Sequence, residues 1–507
     1  MPFLSFLNRL IEGRHVRPWA LSAPIVVLLI CLPLLRPLRQ PDPRLISDDE
    51  LSRLATVQAI VEQHTLAIEA TSFPITHDRI SVGQHTYSNQ PPMLAVLLSG
   101  PYWVIHRLGW SFDHDPAWVA YLLTLIGVTL PVSLCAGLIY RMGRLFELRR
   151  PVRAALGLAV VIGSGLISYA TVLNAHASAA SMVLAAVACL FYATLAVTWG
   201  NGLAWLGLCG LCAAFAACID PPAAIFMLLL FPVICAMRWP AAARATGLML
   251  YGLGALGPVL LHAKLIKPIT GDLRPGMFHP ELAAAGADAA DELLPTSFVR
   301  RSLWASGRRK LSAIVAASQA STPTGQPAAS LDDDEDPPTF WRAVAHNMSR
   351  GFTIFFGPHG IFSHFPVLLF GILGIGMVMH RHWPGTTKVL AAATLMGALV
   401  IIGVYAGIRG DTREAMFATC WFVPFLPLML FWSGAWLRKP HGPITWSLAG
   451  TLLAFSAIVS LLGATGPQPR SGFDRYTVAG VWQNLRHPPQ APPMPPVLAD
   501  RRVGGEE

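Results

Sequence analysis

Between Asp78 and Pro92 the chain reads DRISVGQHTYSNQPP, a run that crowds acid, guanidinium, imidazole, phenol and amide side chains together. Asp78 and Arg79 precede a turn at Gly83, and His85, Tyr87, Asn89 and Gln90 follow it. So many unlike polar groups in one short stretch suit a pocket that moves protons and holds polar ligands. The plainer reading is local: Asp78 caps a turn, and Asn89 caps a helix whose first turn is stiffened by Pro91 and Pro92. A second acidic group lies upstream in SDDELSRLATVQAIVEQH. There Ser47 and Glu50 fit the N-cap and closing glutamate of a capping box, on an amphipathic helix built on Leu51, Leu54, Val57, Ile60 and Val61. Asp48 and Asp49 would then be first-turn acids favoured by the helix dipole, unless Asp49 serves chemistry.

The rest of the chain is built for lipid. It has 507 residues, 53% hydrophobic and only 13% charged, where a soluble domain carries about a quarter charged residues. Its mean hydropathy is +0.50. Apolar blocks at 19–35, 117–140, 154–172, 177–198, 203–218, 222–237, 245–264, 352–379, 387–407, 414–436 and 444–463 approach the ~20 residues that cross a bilayer core. The expected fold is an all-α polytopic membrane protein of about 11 transmembrane helices, with membrane lipid as its surroundings. The formal charge of +9 reads as loop-end Lys and Arg; no basic run with interleaved aromatics points to nucleic acid. The eight cysteines fall in or beside apolar segments and form no disulfide framework. Cys209 and Cys212 make a C-x-x-C inside an apolar helix, where small core residues are the expectation. Basic residues precede the run from Trp19 to Leu35 without an A-x-A-like cleavage site after it, so an uncleaved first span is expected.

Charge sets the orientation. Arg141, Arg144, Arg149, Arg150 and Arg153 lie in one short connection, which the positive-inside rule makes cytoplasmic. The connections 238–244, 380–388 and 438–441 follow it. The segments 36–116, 173–176, 219–221, 265–351, 408–413 and the tail then lie outside. By this parity the segment 91–110 cannot span. Its Tyr102, Trp103, His106, Arg107 and Trp110 suit an interfacial or re-entrant helix. The expected organisation is a cytoplasmic N-terminus (1–18), a first membrane module (19–264) holding the outer loop 36–116, a soluble outer loop (265–350), a second membrane module (351–464) and an outer tail (465–507). The soluble loop contains an Ala/Ser/Pro-rich stretch with an acidic run, which reads as partly disordered.

Together, THDRISVGQHTYSNQPPMLAVLLSGPYWVIHRLGW, the span after it and YRMGRLFELRRP resemble the GT-C superfamily of membrane glycosyltransferases. The group is similar to the lipid A aminoarabinose transferases and protein O-mannosyltransferases, whose first outer loop carries an Asp…Gly-x-x-Tyr-Ser-Asp-Lys-Pro-Pro pattern. NAHASAAS, GPHGIFSHFP and GDTREAMFATCWFVPFLPLML match more weakly and extend the resemblance from about residue 40 to 435. This chain has Asn89-Gln90 where the family has Asp-Lys, so two charges have become neutral amides.

The resemblance implies a GT-C-like bundle with interfacial helices in the first outer loop. It also implies transfer of a hexosyl or pentosyl unit, with inversion, from a polyisoprenyl-phosphate sugar to a lipid, glycan or protein acceptor, in a bacterial inner membrane and its cell envelope. Such a reaction needs a carboxylate base for the acceptor hydroxyl, for which Asp78 or Asp49 would serve. It also needs cations for the leaving phosphate, for which Arg413, Arg79 and His359 are candidates. His85, Tyr87, Asn89, Gln90, Asn174 and His176 would contact sugar or acceptor. Plainer roles stand beside these: His176 tied to a neighbouring loop, Arg413 snorkelling at a span end, His359 in a tight turn, and Asp220 capping a helix ahead of Pro221 and Pro222. No cofactor is fixed with certainty by the sequence. A divalent cation near Asp48, Asp49 and Asp78 is possible, with no ligand set fixed. Two other functions fit less of the pattern. A transporter or flippase would show inverted repeats and mid-membrane charges; a non-catalytic lipid-binding relative would fit the Asn89-Gln90 change.

Overall fold

The computed structural model of the protein describes residues 18–39, 47–73, 78–279, 352–357, 360–408 and 420–466, with single positions 282, 478, 481, 482 and 486. His359 and Arg413 lie outside the described residues, as does the acidic run of the long loop.

The chain opens with helix α1 (Pro18–Cys31). After it come α2 (Asp48–Gln58), which runs on as a π turn over Ala59–Gln63, and an antiparallel hairpin of β1 (Arg79–Val82) and β2 (His85–Ser88). Helix α3 (Met93–Arg107) follows. The bundle then continues through α4 (Pro116–Phe146), α5 (Arg150–Gly163), α6 (Ala175–Leu195), α7 (Trp199–Ile219), α8 (Ala224–Cys235) and α9 (Ala241–Thr270). Its second part holds α10 (Leu368–His380), α11 (Gly385–Ile408), α12 (Leu426–Leu437) and α13 (Pro443–Ala464).

Among the described residues six helices are long and apolar enough to cross a membrane, namely α4, α6, α7, α9, α11 and α13. The protein is therefore an integral membrane protein. A bent pair, Phe352–His364 with α10, would make a seventh span. The expected span 154–172 is not one helix. Gly165 adopts a left-handed φ of 78°, and the chain beyond it tightens into a 3-10 turn over Leu166–Thr171. That leaves α5 with 14 residues, about 21 Å of rise. The other expected segments below the six are also shorter helices, among them α8 and α12. Helix α3 has 15 residues and is not among the spanning helices. Its Tyr102 is buried against the protein, while Trp103 stays exposed.

The loops sort into two ends. At one end Arg438 donates to Glu147 at 2.5 Å and lies over Trp383, while Thr386 donates to the Ala236 carbonyl at 3.1 Å. The four basic connections thus share that end. At the other, Leu173 N–H donates to Glu50 at 3.3 Å, Met277 N–H donates to the Asn89 carbonyl at 2.8 Å, and Thr171 donates to the Ala464 carbonyl at 2.8 Å.

Glu50 does not close a capping box. Ser47 is the N-cap of α2, but its side chain makes no capping bond. The Glu50 side chain is fully buried and forms an ion pair with Arg36. Burial in a low-dielectric interior demands such a partner, so the charge pairs across the fold instead of folding back on its own helix. Helices α7 and α9 meet along glycines: a methyl group on Gly210 would run into the Tyr251 backbone, and one on Gly254 into that of Gly207. Glu50→Ala strands the Arg36 guanidinium and should cost about 3–5 kcal/mol of stability. Arg36→Met with Glu50→Leu together should cost less, and thermal denaturation of both variants in detergent measures the difference.

Candidate functional site

The hairpin is pinned to α2 by hydroxyls. Ser52 Oγ donates to the Asp78 carbonyl at 2.7 Å and lies 2.5 Å from Ser88 Oγ. Asn89 N–H donates to the same Asp78 carbonyl at 3.2 Å. These bonds hold Asp78 against the first turns of α2, where Asp49 projects. Arg53 stands four residues after Asp49 on α2, one helical turn away. Its Nη1 is 2.5 Å from Asp49 Oδ2 and its Nη2 donates to Gln90 Oε1 at 3.0 Å. Gln90 Nε2 in turn donates to Asp78 Oδ2 at 3.4 Å, and Asn89 Nδ2 to Asp78 Oδ1 at 3.3 Å. One network therefore joins two acids, one guanidinium and the two amides.

The two carboxylates differ. Asp49 faces a guanidinium. Asp78 accepts amide hydrogen bonds from Asn89 and Gln90, and its burial, together with the nearby negative charges of Asp49 and Asp48, pushes it up to about 7. The Asn89 hydrogen bond and Arg53 pull the other way but less strongly. A carboxyl group that titrates near neutrality is a usable proton acceptor.

The other expected residues divide. Tyr87, Ser88 and Gln90 line a small hollow whose far wall is Ile266, Ile269 and Thr270 at the end of α9, closed by Gly276. The first loop thus opens onto the mouth of a later helix. A methyl group on Gly276 would meet the Ile80 side chain at 2.7 Å and the Asn89 backbone at 3.1 Å, so a larger residue would have to displace the end of Ile80. Arg79 begins β1 and is half-buried, paired in register with Ser88. His85 is not in the network: its Nδ1 lies 2.6 Å from Glu69 on the exposed side of the hairpin. Asn174 is wholly buried and caps α6 by accepting from Ala177 N–H at 3.1 Å. His176 Nδ1 lies 2.7 Å from Asp220 Oδ2. Asp220 makes no side-chain cap, which corrects the reading of it as a helix cap. Pro221 and Pro222 have no N–H to offer the side chain, and the Ala223 N–H goes to the Asp220 backbone carbonyl at 2.9 Å.

Arg53 and Ser52 went unrecognised in the sequence, and Asp220 was read only as a cap. The spacing of Asp49 and Arg53 was a usable signal for the first. Nothing in the local pattern announced the roles of the other two, because their partners are distant in sequence. Among the described residues no cluster of three or more His, Cys, Asp or Glu could hold a metal ion. Asp49 and Asp78 are held by a cation and by N–H donors, which compete with a metal for the same oxygens.

No family model matches the chain, and no curated protein does. Solved structures do match it. The apo oligosaccharyltransferase of Archaeoglobus fulgidus aligns with a TM-score of 0.52 at 12% identity, over 96% of this chain and 61% of that one. The same organism's AglB, bound to an inhibitory peptide and a dolichol-phosphate, aligns with a TM-score of 0.51 at 13% identity, over 94% of this chain and 60% of that one. The form tethered to an acceptor peptide gives 0.52 at 13%, over 90% and 57%. This chain is thus similar in fold to a GT-C superfamily glycosyltransferase. It spans about 60% of the length of these structures.

The raised affinity of Asp78 for its proton makes a stability prediction. In the unfolded chain the carboxyl ionises near its ordinary value of 3.8, and in the folded chain near 7. Between these values the folded state binds the extra proton, so stability falls as pH rises through the window and the full cost stands above it. Asp78→Asn removes that cost. Its thermal midpoint should exceed wild type by a margin that grows between about pH 4 and pH 7 and then levels off, as a detergent melting series would show.

Proposed function

We propose that the protein is a membrane glycosyltransferase that moves one sugar from a polyisoprenyl-phosphate donor to an acceptor hydroxyl at the non-cytoplasmic membrane face. The observation that carries this reading is the Asp49–Arg53–Gln90–Asp78 network, set beside a hollow that reaches the end of α9. The GT-C-like fold supports it. So does the gathering of the basic connections at the opposite end, which the positive-inside rule assigns to the cytoplasm. AglB was captured with a dolichol-phosphate, which supports a lipid-linked donor here, and a bacterial inner membrane fits such a donor.

Asp78 accepts the proton of the acceptor hydroxyl. The acceptor oxygen then bonds to the anomeric carbon as the bond from that carbon to the phosphate oxygen breaks, and the electron pair leaves with the polyisoprenyl phosphate. Direct displacement inverts the anomeric centre. A base titrating near 7 suits this step at physiological pH. Asp49 holds Arg53 by charge, and Arg53 holds Gln90, so the amide that steadies Asp78 is itself fixed. Arg79 and Arg413 are proposed to meet the leaving phosphate, since a planar guanidinium binds two phosphate oxygens at once. His359 is proposed for the same anion, and Tyr87, Asn89 and Gln90 for the sugar. His85 sits on Glu69 at the hairpin's exposed side, where it would contact an acceptor.

A non-catalytic, lipid-binding reading has one observation of its own: both Asp78 oxygens already accept amide hydrogen bonds. A single assay separates the two. Purified protein in nanodiscs is given a polyisoprenyl-phosphate sugar and membrane extract, and sugar transfer is followed. Asp78→Asn should lower transfer by about 10²–10⁴-fold. The wild-type rate should rise with pH and level off above about 7, since the base must be ionised. Equal transfer by wild type and Asp78→Asn removes Asp78 from the reaction. Donor binding without turnover by wild type favours the lipid-binding reading.

A further inference from the structure

The His176–Asp220 pair lies outside the network around Asp78. His176 sits in the first turn of α6 with its side chain 14% exposed, and its Nδ1 is 2.7 Å from an Asp220 carboxylate that is 4% exposed. A carboxylate only accepts hydrogen bonds, so the neutral imidazole must donate from Nδ1, which leaves its lone pair on Nε2. Asp220 is available for this because the residues after it, Pro221 and Pro222, have no N–H to offer. Its side chain therefore reaches across to α6.

A second observation at the same helix entrance points to a ligand. Asn174 has no exposed surface, and its Oδ1 caps Ala177, yet its Nδ2 has no partner among the described residues. A buried amide donor left unpaired is costly unless something arrives to take it. The start of α6 thus carries an unpaired amide donor and, two residues on, an imidazole whose Nε2 can accept. Sugar hydroxyls offer both an acceptor oxygen and a donor hydrogen for such groups. The entrance is also tied to the start of α2, since Leu173 N–H donates to Glu50, the neighbour of Asp49.

We infer that Asp220 is a positioning residue that fixes the Nδ1–H tautomer of His176, so that Nε2 accepts a hydrogen bond from a substrate hydroxyl. The ligand class is a polyhydroxylated sugar, and that part rests on the sugar-transfer reading above.

The test uses the full chain in nanodiscs, labelled with 15N-histidine, with the His176 signals assigned by their loss in His176→Gln. Wild type and Asp220→Glu should show the neutral ring protonated at Nδ1. Asp220→Asn, close to isosteric, should show a mixture of tautomers, because an amide can donate as well as accept. In the transfer assay Asp220→Asn should raise KM for the sugar donor by about 10–100-fold, the usual effect of losing an orienting partner. Its kcat should change little, and Asp220→Glu should restore KM in part. A wild-type ring protonated at Nε2, or the same tautomer in wild type and Asp220→Asn, overturns the positioning role. The expected tautomers with an unchanged KM overturn the hydroxyl contact. Should wild type transfer no sugar, the transfer reading fails while the tautomer result still decides Asp220. Should Asp220→Asn fail to fold, the ring states in wild type and Asp220→Glu decide it.

Discussion

Glu50 holds the upper part of the molecule together. It is a carboxylate with no exposed surface, answered by the Arg36 guanidinium and the Leu173 N–H. An ion in a low-dielectric interior tolerates few positions, because its solvation is replaced only by partners in good geometry. Those partners come from the end of the first helical segment and from the turn ahead of α6. Fixing Glu50 therefore fixes the start of α2 against the bundle. Asp49 and Arg53 follow from it by helix geometry alone, one on either side and within a turn.

On that platform the amides Asn89 and Gln90 take on a meaning that their neutrality obscures. A lysine at position 90 would stand as a second cation beside Arg53. The glutamine instead accepts from Arg53 with one atom and donates to Asp78 with another. Asp78 is buried and crowded by Asp49 and Asp48, and keeps its proton to near neutrality. Replacing a charge by an amide changes the protonation chemistry of this loop while keeping a hydrogen-bonded frame around it.

Much of this was legible in the sequence, and the limits have physical causes. Hydrophobic blocks announced the helices because a bilayer core demands length and apolarity, and loop arginines separated the two ends of the bundle. The polar run at 78–90 announced itself by density. Glu50 was misread because a capping box is a local pattern, whereas its true partner lies fourteen residues upstream and its other contact is in the distant turn ahead of α6. Asp220 was misread for the same reason: Asp-Pro-Pro looks like a cap, but two prolines cannot receive one. The break at Gly165 was hidden because a glycine in an apolar run reads equally well as helix. In each case the deciding neighbour was non-local.

At Gly210 and Gly254 the seam between α7 and α9 is backbone against backbone, with glycines in place of side chains. Such points of contact have no rotamers to adjust. They can slide or part, but they cannot yield by degrees. Gly276, which follows α9 closely, sits against Asn89 and Ile80, so the width of the hollow is registered to a rigid joint farther down the same helix. The opening beside Asp78 is gauged from within the helical bundle rather than by the loops that form its rim.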